Sequence, residues 1–221
     1  VGVMDIESGS QNCGAGMIGL MLDGLTVRRG ERRLFQGLDL TVHPGEAVAL
    51  TGANGAGKSS LLRVIAGLLK PEAGRVRFDR DGQAMEIEAA RTRHLHLLGH
   101  QDGFRSGRKA ADELAFQVGW CGGDAEGSAR AVRALGLGGL MDLEVRRLSA
   151  GQRRRLALAR LLAAPRPVWL LDEPLSPLDA RWRHEVGDLM QAHLVSGGIL
   201  LAAVHDPLPI PARSCEIGGG A

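Results

Sequence analysis

The chain has 221 residues, of which 44% are apolar and 24% charged, and its formal net charge is +2. That length builds one sizeable core with room for a second small lobe, and the composition is that of an ordinary globular protein. Of 27 basic residues only Lys58, Lys70 and Lys109 are lysines, and so small a positive surplus argues against a nucleic-acid-binding protein, which normally presents a strongly basic face.

Cys13, Cys121 and Cys215 are odd in number and far apart, which suits free thiols in a reducing compartment. No apolar run approaches the roughly 18–20 residues of a membrane span, and no leader of the charged-then-apolar kind opens the chain. Residues 1–16 show little periodicity and read as an unstructured extension, with Met17 or Met21 as a natural start. The remainder, 17–221, reads as one domain.

Within that domain, Leu20–Val27, Leu38–Val42 and Ala47–Leu50 are strand-like runs broken by Arg29-Gly30 and Pro44-Gly45. A Gly-rich turn follows. Leu61, Leu62, Ile65, Leu68 and Leu69 then fall on one helical face, which Lys70-Pro71 stops. Residues 75–99 return to short strands. Residues 107–163, rich in Ala, Leu and Arg, predict several helices with loops at Gly122-Gly123 and Gly136–Gly139. Val168–Leu171 and Ile199–Val204 are continuous apolar runs, as buried parallel strands require, with a helix between them over about Asp179–Leu194. Strands alternating with helices define an α/β core, placed at 17–106 and 164–221, with a helical lobe inserted at about 107–163.

Gly52-Ala53-Asn54-Gly55-Ala56-Gly57-Lys58-Ser59 fits the phosphate-loop pattern between an apolar strand and a helix. Its glycines let backbone N–H groups approach phosphate oxygens, the helix N-terminus adds partial positive charge, and Lys58 adds a full one. The Ser59 hydroxyl is a Mg²⁺ ligand candidate, with Ser60 beside it. Val168-Trp169-Leu170-Leu171-Asp172-Glu173 is a buried strand ending in two carboxylates, at the strand end where α/β sheets bind ligands. There Asp172 would hold Mg²⁺, directly or through water, and Glu173 would orient the attacking water for phosphoryl transfer.

Leu148-Ser149-Ala150-Gly151-Gln152 reads as a helix start with a serine cap. It also resembles the LSGGQ signature of ABC ATPases, Ala150 replacing one glycine. Phosphate loop, Gln101, signature-like segment, acidic strand, Ser176-Pro177-Leu178-Asp179 and His205 follow one another as in that family, over about residues 19–206. The resemblance implies a P-loop core of ABC type with an N-terminal antiparallel β region and an inserted α-helical lobe. It implies ATP hydrolysis with Mg²⁺. It gives Gln101 to the γ-phosphate and Mg²⁺, and His205 to the γ-phosphate. Leu148–Gln152, with Ser176 and Asp179, would meet the ATP of a partner subunit in a homodimer. A membrane permease would be contacted near Gln101–Lys109.

The chain departs from the family at other places besides Ala150. It has no Tyr, and Arg29 stands where an aromatic usually stacks on adenine. Pro177 occupies a position that is commonly small. Arg153-Arg154-Arg155 could suggest RNA, but reads instead as a solvated helix face, so no nucleic-acid partner is expected.

Leu98–Arg105 with Ala111-Asp112-Glu113-Leu114, and Gly197–Leu208, are similar to the ATP-binding subunits of c-type cytochrome maturation systems. That resemblance implies a peripheral ATPase on the cytoplasmic face of the bacterial inner membrane, serving heme export or release of a heme chaperone. It would work with a separate permease and other maturation proteins. The short remainder after His205 is expected to hold no regulatory domain. The alternatives are the ATPase of another small ABC transporter (lipid, peptide or drug), a soluble ABC ATPase acting on nucleic acid or ribosomes, and a non-catalytic nucleotide-binding regulator.

Overall fold

The computed structural model describes residues 16–218. The stretch before Gly16, read above as an extension, and Cys13 lie outside the described residues. Strands β1 (Ile18–Arg29) and β2 (Arg32–Val42) form an antiparallel hairpin. Arg29 pairs with Arg32 across the two-residue turn, where Gly30 takes a left-handed φ of 61°. Ile18 and Leu20 pair with Arg80 and Phe78 of a later strand and are buried, so a start at Met21 would cut into the sheet.

The chain then passes through β3 (Ala47–Thr51), α1 (Lys58–Ile65), β4 (Ala73–Arg80), the two-residue β5 (Gln83–Ala84), α2 (Ile87–His94) and β6 (Leu95–Leu98). Helices α3 (Ala110–Trp120), α4 (Ala125–Ala134) and α5 (Ala150–Ala163) follow. The remaining elements are β7 (Val168–Asp172), α6 (Ala180–Val195), β8 (Ile199–Ala203) and β9 (Arg213–Glu216). One sheet has the order β2-β1-β4-β5, with antiparallel pairings. The other, β6-β7-β8-β3-β9, is parallel throughout.

Every residue of β7 and β8 is buried, which is why both strands read as unbroken apolar runs. Their side chains nevertheless divide by parity between two cores. Val168, Leu170, Ile199, Leu201 and Ala203 pack with α1 and the antiparallel sheet. Trp169, Leu171, Leu200 and Ala202 pack with residues of α3 to α6. The helices of the 107–163 segment therefore share a continuous core with one face of the parallel sheet.

Two local expectations change. Helix α1 ends at Ile65 rather than at Lys70, because the chain turns left-handed at Gly67 (φ 78°), and Leu68 is left 70% exposed. Within 75–99 a helix, α2, interrupts the strands, with the Glu86 side chain accepting from the N–H groups of Glu88 and Ala89. Only Ala90 of α2 is buried, so it carries no apolar stripe from which a helix could be read. The edge strand β9 is mostly exposed and equally silent in pattern. Cys121 and Cys215 are free thiols.

Candidate nucleotide site

The phosphate loop joins β3 to α1, and its shape depends on glycine at Gly52, Gly55 and Gly57, whose φ values are 124°, 79° and 113°. A Cβ on Gly52 would stand 2.3 Å from the Ile217 carbonyl oxygen, a backbone atom that cannot step aside. A Cβ on Gly57 would press on Leu34 and Phe35 at 3.0 Å. No side chain caps the start of α1, so its first N–H groups remain available to an anion.

Lys58 is only 7% exposed. Its Nζ donates to the carbonyls of Gly52 at 2.6 Å and Ala53 at 3.3 Å, which holds the ammonium against the loop. Ser59 Oγ donates to Asp172 Oδ1 at 2.9 Å, tying the helix start to the end of β7. Asp172 and Ser60 are buried, whereas Ala53, Asn54 and Gly55 form the exposed crown of the loop.

Just past β7 the chain turns at Glu173, a non-glycine residue with φ 48°. Such a conformation costs about 1–3 kcal/mol and persists only where its surroundings enforce it. Here the Glu173 N–H donates to the Ala203 carbonyl at 2.9 Å. Its carboxylate lies between two imidazoles, with Oε1 3.0 Å from His205 Nε2 and Oε2 3.6 Å from His100 Nδ1.

A cavity of about 160 Å³ brings together Arg29, Leu34, Ala53 to Ser60, Glu173 and His205. None of its lining residues is aromatic except His205. A larger one, about 750 Å³, lies on the other side of Glu173 and is lined by Gln101, Asp102, Phe104, Ala150, Ser176 and Pro177, among others. Glu173 is thus a wall common to both cavities. Gln101 is exposed in the larger one and is not brought to the phosphate loop.

The signature-like segment starts α5. Ser149 accepts from Gln152 N while the Gln152 side chain accepts from Ser149 N, a reciprocal cap. Leu148 is buried, and a Cβ on Gly151 would stand 2.9 Å from the Pro177 carbonyl oxygen, so this glycine lets the two loops touch. Asp179 caps α6 by accepting from Trp182 N at 2.9 Å. Ser176 lines the larger cavity, and neither it nor Leu148–Gln152 reaches the smaller.

The arginine run is not a solvated face. Arg153 donates to the Leu148 carbonyl, and Arg155 lies 4.0 Å over the Trp182 ring, where burial lowers its pKa from the ordinary value. Arg154 is 2% exposed and bonds to main chain on both sides of the site. Its burial was legible from helical spacing, since Arg154, Leu158 and Leu161 fall at i, i+4 and i+7 on the buried stripe of α5. No comparable signal marks His100.

A phosphate loop ending one parallel strand, faced by a carboxylate pair at the end of another, defines the nucleotide-hydrolysing class of α/β proteins. Residues 35–176 match the ABC transporter family. The chain is 46% identical, over 90% of its length and 97% of the relative's, to a cytochrome c biogenesis ATP-binding export protein, CcmA, of Rhodopseudomonas palustris. Identity to the CcmA of Rhizobium meliloti is 43%, over 90% of this chain and 98% of that one. In structure it resembles a putative ABC transporter ATP-binding protein of Pyrococcus furiosus, with a TM-score of 0.76 at 22% identity, covering 90% of this chain and 97% of that chain. The chain belongs to the ATP-hydrolysing ABC transporter family, in its group of cytochrome c biogenesis ATP-binding export proteins. Among the described residues no helix is long and apolar enough to cross a membrane.

Proposed function

We propose that this chain is the energy-coupling ATPase of a transporter for c-type cytochrome biogenesis, seated on the cytoplasmic face of the inner membrane beside a separate permease. The observation that carries the reading is the convergence of Lys58, Ser59, Asp172, Glu173 and His205, together with the family they occur in.

In this reading the phosphate-loop N–H groups and Lys58 hold the ATP phosphates. The base lies toward Arg29 and Leu34, where a guanidinium plane stands in for an aromatic ring. One hydroxyl and one carboxylate, 2.9 Å apart, are hard oxygen donors that suit Mg²⁺, whose shell water and phosphate oxygens would complete. The cation would neutralise charge on the phosphates. Glu173 orients the attacking water, and His205 meets the γ-phosphate once the nucleotide displaces the imidazole from the carboxylate. The start of α5, exposed at Ser149 and Ala150, faces with Ser176 the ATP of a second copy in a two-fold dimer. Gln101 enters on closure of that dimer. The helical segment at 107–163 is the lobe that moves with the permease, and other maturation proteins handle the heme.

In a bacterial strain lacking its own subunit of this kind, the intact chain should restore covalent heme on c-type cytochromes, read by heme staining. The Glu173→Gln variant should restore none. An intact chain that hydrolyses ATP yet restores no c-type cytochrome would assign it to another transporter.

Arg105 is exposed beside the larger cavity and has no ion-pair partner among the described residues, whereas Arg108 is paired with buried Glu113 and stacked on Phe116. Arg105→Glu should therefore weaken recruitment to permease-containing membranes by about five- to tenfold, more at low salt, without changing ATP affinity. Unchanged sedimentation with the membranes would place the contact elsewhere.

A further inference from the structure

We propose that Arg154 is a positioning residue for Glu173, and that through Asp102 it makes the setting of that carboxylate depend on the segment carrying Gln101. This rests on the reading of Glu173 as the residue that orients water.

All three guanidinium nitrogens of Arg154 are engaged. Nε donates to the Pro174 carbonyl at 3.2 Å. Nη2 donates to the carbonyls of Asp172 and Glu173, the latter at 2.8 Å. One side chain thus gathers three successive carbonyls where the chain leaves β7, at the point where Glu173 is forced to φ 48°. These groups lie at the end of a buried strand, and an unpaired buried carbonyl is costly, so the guanidinium both satisfies them and fixes the turn. With the Glu173 N–H held by Ala203, the backbone that aims the carboxylate is pinned from two sides.

The remaining nitrogen reaches the other way. Nη1 donates to the Gly99 carbonyl at 2.8 Å and to Asp102 Oδ1 at 2.9 Å. Both acceptors flank His100 and Gln101, and Asp102 is the one carboxylate paired with this cation among the described residues. The guanidinium is planar and rigid, so a shift of the 99–102 segment rotates the fork that holds the Glu173 main chain. A lysine, with one nitrogen, cannot hold both sides.

The test uses the full chain with Mg-ATP. Nucleotide affinity is read by titration with a fluorescent analogue, kcat at saturating ATP, and folding by thermal melting. Asp102→Ala removes the carboxylate and leaves Arg154 on its carbonyls. It should lower kcat by about tenfold and change nucleotide affinity by less than about twofold. Arg154→Met should lose more, and Arg154→Lys should recover part of the difference. Should the Arg154 variants fail to fold, Asp102→Ala carries the test alone. In the Glu173→Gln background Asp102→Ala should add no further loss, because the carboxylate it positions is gone.

An unchanged kcat in Asp102→Ala overturns the proposal, and so does a loss of affinity and kcat together with a lowered melting temperature. Glu173→Gln, measured in parallel, separates the two readings. If it hydrolyses ATP normally, Glu173 itself is misassigned. If it is inactive while Asp102→Ala is fully active, only the positioning role fails.

Discussion

Glu173→Gln should reduce ATP hydrolysis by about 10²–10⁴-fold, the range expected when a group that activates water is removed, while ATP still binds. The substitution keeps size and hydrogen-bonding capacity and removes the charge. Ser59, Asp172 and Lys58, which hold the phosphates and cation in the proposed reading, are untouched. ATP that is bound and not hydrolysed should then bridge two copies, phosphate loop of one against the α5 start of the other. Size-exclusion chromatography with light scattering should show a dimer with Mg-ATP and a monomer without it. A variant that turns over ATP at the normal rate would remove Glu173 from the mechanism. One that is inactive and monomeric would keep its chemical role and discard the long-lived dimer.

Lys58→Ala should weaken ATP binding by about 100-fold or more, since in the proposed reading it deletes a charge-assisted contact to phosphate at a desolvated position. The structure adds a second effect. Lys58 Nζ braces the loop through the carbonyls of Gly52 and Ala53, so its loss also loosens the frame that presents the N–H groups. Titration with a fluorescent ATP analogue measures the affinity, and a melting curve without nucleotide reports the loop. Affinity equal to that of the unmodified chain would refute the assignment of the phosphate loop.

The features that could be read from sequence are those whose chemistry is contiguous. Gly52–Ser59 carries turn, helix start and functional group, and Val168–Glu173 carries strand, turn and functional group, each within a few residues, so local pattern implies local structure. The parallel core followed from the apolar runs of β7 and β8. Helix α2 was not visible because one buried alanine makes no stripe, and Leu68 was placed on a helix that Gly67 ends first. The order of motifs carries no distances, which is why Gln101 could be matched to a family position while the structure sets it across Glu173 from the phosphate loop. Arg154 was misread because three adjacent arginines look like surface. Only the helical register separates the one that points inward.

The contact between Gly52 and Ile217 bears on how the molecule is made. Strand β3, which carries the phosphate loop, pairs on one side with β8 and on the other with β9, and the Ile217 N–H closes on the Thr51 carbonyl. Thr51 and Ser214 touch through their hydroxyls although they lie 163 residues apart in sequence. A loop braced by such distant partners takes its final shape only after the chain has left the ribosome as far as Ile217. Contacts of this separation are slow to form, because the entropy of closing a long loop is lost before pairing repays it. The nucleotide site is accordingly formed after its own motif is made, and ATP binding reports the assembled parallel sheet rather than a finished motif.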